Sequence, residues 1–86
     1  MKKLWPCLVA MMLGSYSWAA VECTKEPVKN WKDQKAFQQE LAKSYKIKKF
    51  KVTEGNCYEI YGHDKSGKRV EIYFNPVNGE IVKQKD

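Results

Sequence analysis

The sequence lacks most of the side-chain chemistry on which enzymes depend. Histidine occurs only once in 86 residues, at position 63. There is no nucleophile elbow, no HExxH motif and no glycine-rich phosphate loop. These absences predict a protein that is not an enzyme, uses no cofactor and has no metal site.

Arginine is nearly absent as well. Arg69 is the only arginine among 16 lysines and arginines, and the chain carries a formal net charge of +6. Proteins that read nucleic acid favour arginine forks at bases and phosphates. We therefore interpret the lysines as a solubilising surface and do not expect nucleic acid as a partner.

A long hydrophobic run is also missing. The apolar stretch at residues 4–13 is far shorter than the roughly 20 residues that a membrane span needs. It follows two lysines and precedes the small-residue site Ser17-Trp18-Ala19, which predicts a signal peptide over residues 1–19. Cleavage one residue later is less favoured, because it would put Trp18 where a small residue is wanted.

This layout also predicts where the protein acts. After cleavage the chain is expected to be soluble and periplasmic, without stable membrane insertion. An uncleaved anchor is the alternative. A lipoprotein is less favoured, because Cys23 does not follow a small-residue lipobox.

The cysteine count indicates a disulfide bond. Cys7 lies in the predicted signal peptide, so the mature chain keeps Cys23 and Cys57. An even pair in an oxidising compartment predicts a bond, which would stabilise a chain too short for a large core. A reactive or metal-binding thiol pair has less support, since there is no CxxC motif and His63 alone does not complete a zinc site.

The segment before residue 31 is predicted to be irregular. Residues 20–30 contain Pro27 and show no periodicity, which favours an extended arm tied down by Cys23. One domain then occupies residues 31–86. Trp31 opens it and is expected to fold back onto the helix that follows.

That helix is amphipathic. Asp33 is a good N-cap, and residues 34–43 are rich in helix formers. Phe37, Leu41 and Tyr45 fall four apart on one stripe. We expect this stripe to be the buried face of the helix.

The rest of the chain predicts strands joined by tight turns. Three segments alternate apolar and polar residues, and a short fourth strand is expected at residues 80–83. Loops at residues 54–56 and 64–67 set a register in which apolar residues face apolar residues. The predicted pairs are Val52–Tyr58, Phe50–Ile60, Tyr58–Phe74, Ile60–Ile72 and Gly62–Val70.

The predicted fold is a two-layer α+β domain, with one amphipathic helix packed on a four-stranded antiparallel β-meander. The helix contributes the stripe above to the core. The alternation does not decide whether Ile81 or Val82 points inward. The predicted inner sheet face consists of Phe50, Val52, Tyr58, Ile60, Val70, Ile72 and Phe74.

The same register defines the opposite, outer sheet face, which is the candidate binding face. One interpretation is a solvated surface held by weak cross-strand ion pairs, on which paired carboxylates have no cleft to shift their pKa values. The other is a recognition surface for a protein or peptide, since tyrosine and arginine often anchor interfaces. The residues are Lys49, Lys51, Glu59, Tyr61, His63, Arg69, Glu71 and Tyr73.

Several motifs occur in an order and spacing that resembles the PepSY family, in particular its small, secreted, stand-alone members. Asn75 and Asn78 replace an Asp and a Thr of the family pattern, and Ser44 replaces a Gly, but each can cap or form a turn. The matching motifs are Trp31, Ser44-Tyr45, Cys57-Tyr58-Glu59-Ile60, residues 64–71 and Asn75-Pro76-Val77-Asn78-Gly79-Glu80-Ile81.

The resemblance implies a role in peptidase restraint or in regulation within the cell envelope, with a peptidase or a sensor as partner. A fold alone does not fix function. We therefore expect a monomeric, non-catalytic binding module. The alternative is a module that scavenges or senses a small molecule or metal ion in the envelope.

Overall fold

The computed structural model describes residues 21–85, so the predicted signal peptide lies outside the described residues. A single 3₁₀ turn at Val28–Asn30 precedes helix α1, Gln34–Leu41. Four strands follow: β1 Tyr45–Val52, β2 Tyr58–Asp64, β3 Arg69–Phe74 and β4 Ile81–Lys85. No helix within residues 21–85 has the length and apolar character that crossing a membrane requires.

The four strands form one antiparallel sheet in the order β1-β2-β3-β4. The predicted α+β architecture is therefore confirmed. All five predicted cross-strand pairs are present as well. The register follows from turn geometry and alternation together, because a slip of one residue would turn every apolar side chain to the other face.

Helix α1 begins as predicted and ends earlier. The side chain of Asp33 accepts a hydrogen bond from the Ala36 amide at 2.9 Å and caps the first turn. The helix ends at Leu41, and the amide of Ser44 then donates to the Leu41 carbonyl in a tight turn. Tyr45, expected on the helix, is instead the first residue of β1 and packs against the core from the sheet.

The core lies between α1 and the inner sheet face. Aromatic rings dominate it: the centroid of Phe37 lies 5.6 Å from that of Tyr58 and 5.3 Å from that of Phe74. Phe50 is only half-buried, although it packs against this cluster. The buried cluster consists of Phe37, Leu41, Tyr58, Ile60, Val70, Ile72 and Phe74.

One expectation about an apolar residue at a sheet edge is wrong, and the open choice between Ile81 and Val82 is resolved. Val52 was expected in the core but is 42% exposed, because it lies in the last pair of an edge strand. Ile81 pairs with Phe74 on the helix side and is still 49% exposed. Val82 lies at a shift in register and is 44% exposed, so neither residue of β4 is buried.

The N-terminal arm is fixed to the end of the sheet. Cys23 and Cys57 form a disulfide bond, as predicted. The amide of Cys23 donates to the carbonyl of Gly55 at 2.9 Å, and the side-chain amide of Asn75 donates to the carbonyl of Cys23. The arm crosses so closely that a Cβ on Gly55 would lie 1.9 Å from the carbonyl oxygen of Val21. Only glycine fits at this position.

Candidate functional site

The outer sheet face has the predicted cross-strand rows. Glu59 pairs with Lys51 on one side and with Tyr73 on the other. Strand β4 extends two of the three rows by one residue each, Lys83 and Lys85, which sequence reasoning did not include because the exact register of β4 was undecided. The rows are Lys51–Glu59–Tyr73–Lys83, Lys49–Tyr61–Glu71–Lys85 and Lys46–His63–Arg69.

These rows place carboxylates and tyrosines at the centre of the face and lysines at both edges. No described element packs across them, because helix α1 lies against the opposite side of the sheet. Lys49 and Arg69 are exposed, whereas the side chains of Tyr61, Glu71 and Tyr73 are half-buried. His63 is half-buried at the end of its strand.

Glu59 has an environment that its position does not suggest. It is 2% exposed, although it lies on the face that the helix leaves open. The ammonium group of Lys51 lies 3.8 Å from Glu59 Oε1, and Oε2 is buried without a hydrogen-bond partner among residues 21–85. Of the two interpretations of this face, the solvated surface does not describe Glu59, which lies between the long side chains of its cross-strand neighbours Lys51 and Tyr73.

The carboxyl groups of Glu59 and Glu71 are electrostatically coupled. Burial, and then the adjacent Glu71, raise the pKa of Glu59. The pKa of Glu71 is lowered, first through its interaction with Glu59, and the hydroxyl of Tyr73 donates to Glu71 Oε2 at 3.1 Å. Two close carboxyl groups seldom ionise equally, so as the pH falls Glu59 takes up a proton before Glu71 does.

The carboxyl groups of Glu59 and Glu71 also shift the pKa values of Tyr61 and Tyr73. The adjacent Glu59 carboxylate, with burial adding to its effect, raises the pKa of Tyr61 to about 12. Burial, and then Glu71, raise the pKa of Tyr73. The ammonium group of Lys51 also lies 6.0 Å from the centroid of the Tyr61 ring, at the limit of a cation–π contact. Both phenols are thus neutral hydrogen-bond donors at physiological pH.

A shallow pocket of about 450 Å³ opens at one edge of this face. Glu59, Tyr73 and Lys51 line it from the sheet, and Val21 lines it from the N-terminal arm. Sequence reasoning missed Val21, since alternation within strands carries no information about where a distant arm crosses. The only signal was the cysteine pair, which requires residues near 23 and 57 to be close.

A larger groove of about 1410 Å³ lies on the other side of the molecule, between α1 and the first half of β1. Its lining includes several lysines together with the half-buried Tyr45 and Phe50. Within residues 21–85, no three His, Cys, Asp or Glu side chains are placed to hold a metal ion.

The geometry defines a small helix-on-sheet module with an open, half-polar sheet face and no catalytic constellation in the described residues. The family model for the peptidase propeptide and YPEB domain matches residues 5–85, and the chain belongs to this PepSY family. Domains of the family are generally non-catalytic, propeptide-like modules. The searches of curated proteins and of solved structures gave no match.

Proposed function

We propose that this protein is a secreted, periplasmic and monomeric PepSY module without catalytic activity, which binds a peptidase of the cell envelope and restrains it. The partner contacts the outer sheet face through Tyr61, Tyr73 and Arg69. Membership of a family of propeptide-like modules supports the class of partner.

The observation that carries the proposal is the outer face itself. It combines two half-buried tyrosine rings with polar groups, and helix α1 lies on the opposite side of the sheet. Tyrosine contributes large, rigid contact area at low entropic cost, and polar neighbours give orientation. An antiparallel sheet can also receive an extended peptide at its free edge.

The test is peptidase inhibition by purified protein. The double variant Tyr61→Ala/Tyr73→Ala should lose inhibition by roughly thirtyfold, because interface anchors often contribute 2 kcal/mol or more. Lys35→Ala is the matched control, since Lys35 is exposed on the helix. If the double variant inhibits as well as the wild type, the site lies elsewhere, and the next surface to test is the lysine-rich side of the helix around Lys32, Lys35 and Lys43.

Because both rings cover Glu59, folding must be checked in the same samples. The pair Tyr61→Phe/Tyr73→Phe keeps the rings and should keep most of the inhibition. A sensor of small molecules or metal ions would instead show ligand-dependent melting without inhibiting any peptidase.

The proposed location has its own test. Protein recovered from the periplasmic fraction should have the intact mass of a chain that begins at Ala20. A mass that retains Met1, or recovery only with membranes, would contradict this part of the proposal.

A further inference from the structure

The pocket at the edge of the outer face has the features of a site for one side chain. Lys51, Glu59 and Tyr73 line it from the outer sheet face, and Val21 lines it from the N-terminal arm. We propose that this pocket binds a basic side chain, arginine or lysine, of an extended peptide. The inference rests on the proposed function and specifies the anchor that the partner presents.

The unpartnered oxygen of Glu59 is the first support. A buried carboxylate needs hydrogen bonds to both oxygens, and Oε2 has none within the described residues. Lys51 reaches only the other oxygen, at 3.8 Å, and its side chain is 48% exposed. A guanidinium or ammonium group in the pocket would supply the missing donor, together with a positive charge closer than that of Lys51.

The pocket walls are the second support. Val21 offers apolar surface to an aliphatic stem, and Tyr73 contributes an aromatic side chain to the same lining. The volume of about 450 Å³ is ample for one long side chain. Acidic and basic groups in the lining are Glu54, Glu59 and Lys51, so the ionised pocket carries a net negative charge.

The pocket is also built rigidly. Val21 is held in place because the next part of the arm is tied by the disulfide bond and by the hydrogen bond from Cys23 to Gly55. Gly55 itself leaves no space for a side chain between the arm and the turn. A preformed wall lowers the entropy cost of binding.

An extended peptide fits the surroundings better than a free amine does. Among residues 21–85, strand β1 pairs only with β2 and is an edge strand, and its last residues line the pocket. A peptide lying along this free edge can exchange backbone hydrogen bonds with β1 while one of its side chains enters the pocket.

The direct test is a titration of the oxidised protein, at mildly alkaline pH, with capped tripeptides that differ only in their central residue. Peptides with a central arginine or lysine should shift the NMR signals of Glu54, Glu59 and Tyr73 saturably. The peptide with citrulline, a neutral isostere of arginine, should bind at least about tenfold more weakly, and one with glutamate should not bind.

Three variants sharpen the test. Glu59→Gln keeps the shape and should weaken binding of the arginine peptide at least about tenfold. Glu40→Gln removes an acidic charge from the exposed surface of helix α1, outside the pocket lining, and should retain the affinity. Lys51→Ala removes the competing ammonium group and should strengthen binding, a change of sign that a folding defect cannot imitate.

Equal binding of the arginine and citrulline peptides, or unchanged affinity in Glu59→Gln, would overturn the inference. These experiments distinguish a failure of the pocket assignment from a failure of the proposed function. If basic peptides do not bind although Tyr61→Ala/Tyr73→Ala abolishes peptidase inhibition, the pocket assignment falls and the proposed function stands. If basic peptides bind as described but no peptidase is inhibited, the proposed function falls.

Discussion

Glu59 shows how a single residue can be buried on a sheet face that no described helix covers. Cross-strand neighbours with long side chains, Lys51 and Tyr73, flank it directly. Tyr61 lies two residues along on the same face. Strand alternation gives the side of the sheet on which a residue lies, but burial also depends on how far neighbouring side chains lean over it. The sequence therefore predicted the position of Glu59 and not its loss of solvent.

The raised pKa of Glu59 predicts a particular pH dependence of stability. A carboxyl whose pKa in the folded state exceeds its ordinary value of 4.5 stabilises the fold below that pH, and this contribution is lost as the pH rises through the folded-state pKa. Glu59→Gln should therefore raise the melting temperature at neutral pH and have little effect in acid. Thermal unfolding followed by circular dichroism across this range measures the difference.

The Glu71→Gln variant should shift the melting temperature at neutral pH in the opposite direction. The lowered pKa of Glu71 contributes stability above 4.5 that is lost as pH falls through its folded pKa. Removing its charge should therefore lower the melting temperature at neutral pH. Equal shifts in both variants would show that the two carboxyl groups are not coupled as described.

At the scale of elements, the turns made the sheet predictable. The loops at residues 54–56 and 64–67 fixed a register that the hydrophobic alternation supported independently. Their chemistry differs in detail: Gly67 has a φ of 89°, whereas in the other loop Asn56, not Gly55, takes the left-handed conformation with a φ of 62°. Gly55 is required by the crossing arm instead.

The first half of β1 was not predicted, and its residues explain why. Lysines at positions 46, 48 and 49 interrupt the alternation, and the pairing shifts between Ile47 and Lys49. Gly62 on β2 faces this irregularity, where a Cβ would lie 2.0 Å from the carbonyl oxygen of Lys46. Such a close backbone approach depends on tertiary packing, which a periodic pattern does not encode.

The packing of helix on sheet leads to a prediction for both elements. Ile60→Ala and Leu41→Ala should each lower the free energy of unfolding by about 2–4 kcal/mol, because Ile60 is fully buried and Leu41 is 9% exposed. Lys49→Ala should change it by well under 1 kcal/mol, as expected for an exposed residue. Urea denaturation measures all three. A mild effect at Ile60, similar to that at Lys49, would mean that the sheet presents its other face to the helix.

At the scale of the whole molecule, a few long-range contacts join the arm to the domain. The amide of Lys32 donates to the carbonyl of the buried Pro76 at 2.7 Å, and the hydroxyl of Tyr58 donates to the carbonyl of Lys32. Together with the disulfide bond, these contacts fix the chain before α1 to the open end of the β2–β3 hairpin, where Tyr58 pairs with Phe74. The cysteine count predicted the covalent link, but the hydrogen bonds each use a main-chain carbonyl, a group that every residue has, so the sequence gives no sign of them.

The disulfide bond should therefore contribute a large share of the total stability. Its cysteines are 34 residues apart, and closing such a loop restricts the unfolded chain. Cys57→Ser should lower the free energy of unfolding by about 2–4 kcal/mol, and reduction of the wild type should have a similar effect. Cys23→Ser is the matched control, because it breaks the same bond at a half-buried position. Cys57 is fully buried, so a serine there places a hydroxyl group in the core, whereas a serine at position 23 does not. The Cys23→Ser variant should therefore lose no more free energy of unfolding than Cys57→Ser.

Urea denaturation with and without reductant measures these effects, and mass spectrometry verifies the bond. Equal stability of the oxidised and reduced wild type would show that the non-covalent contacts of the arm suffice.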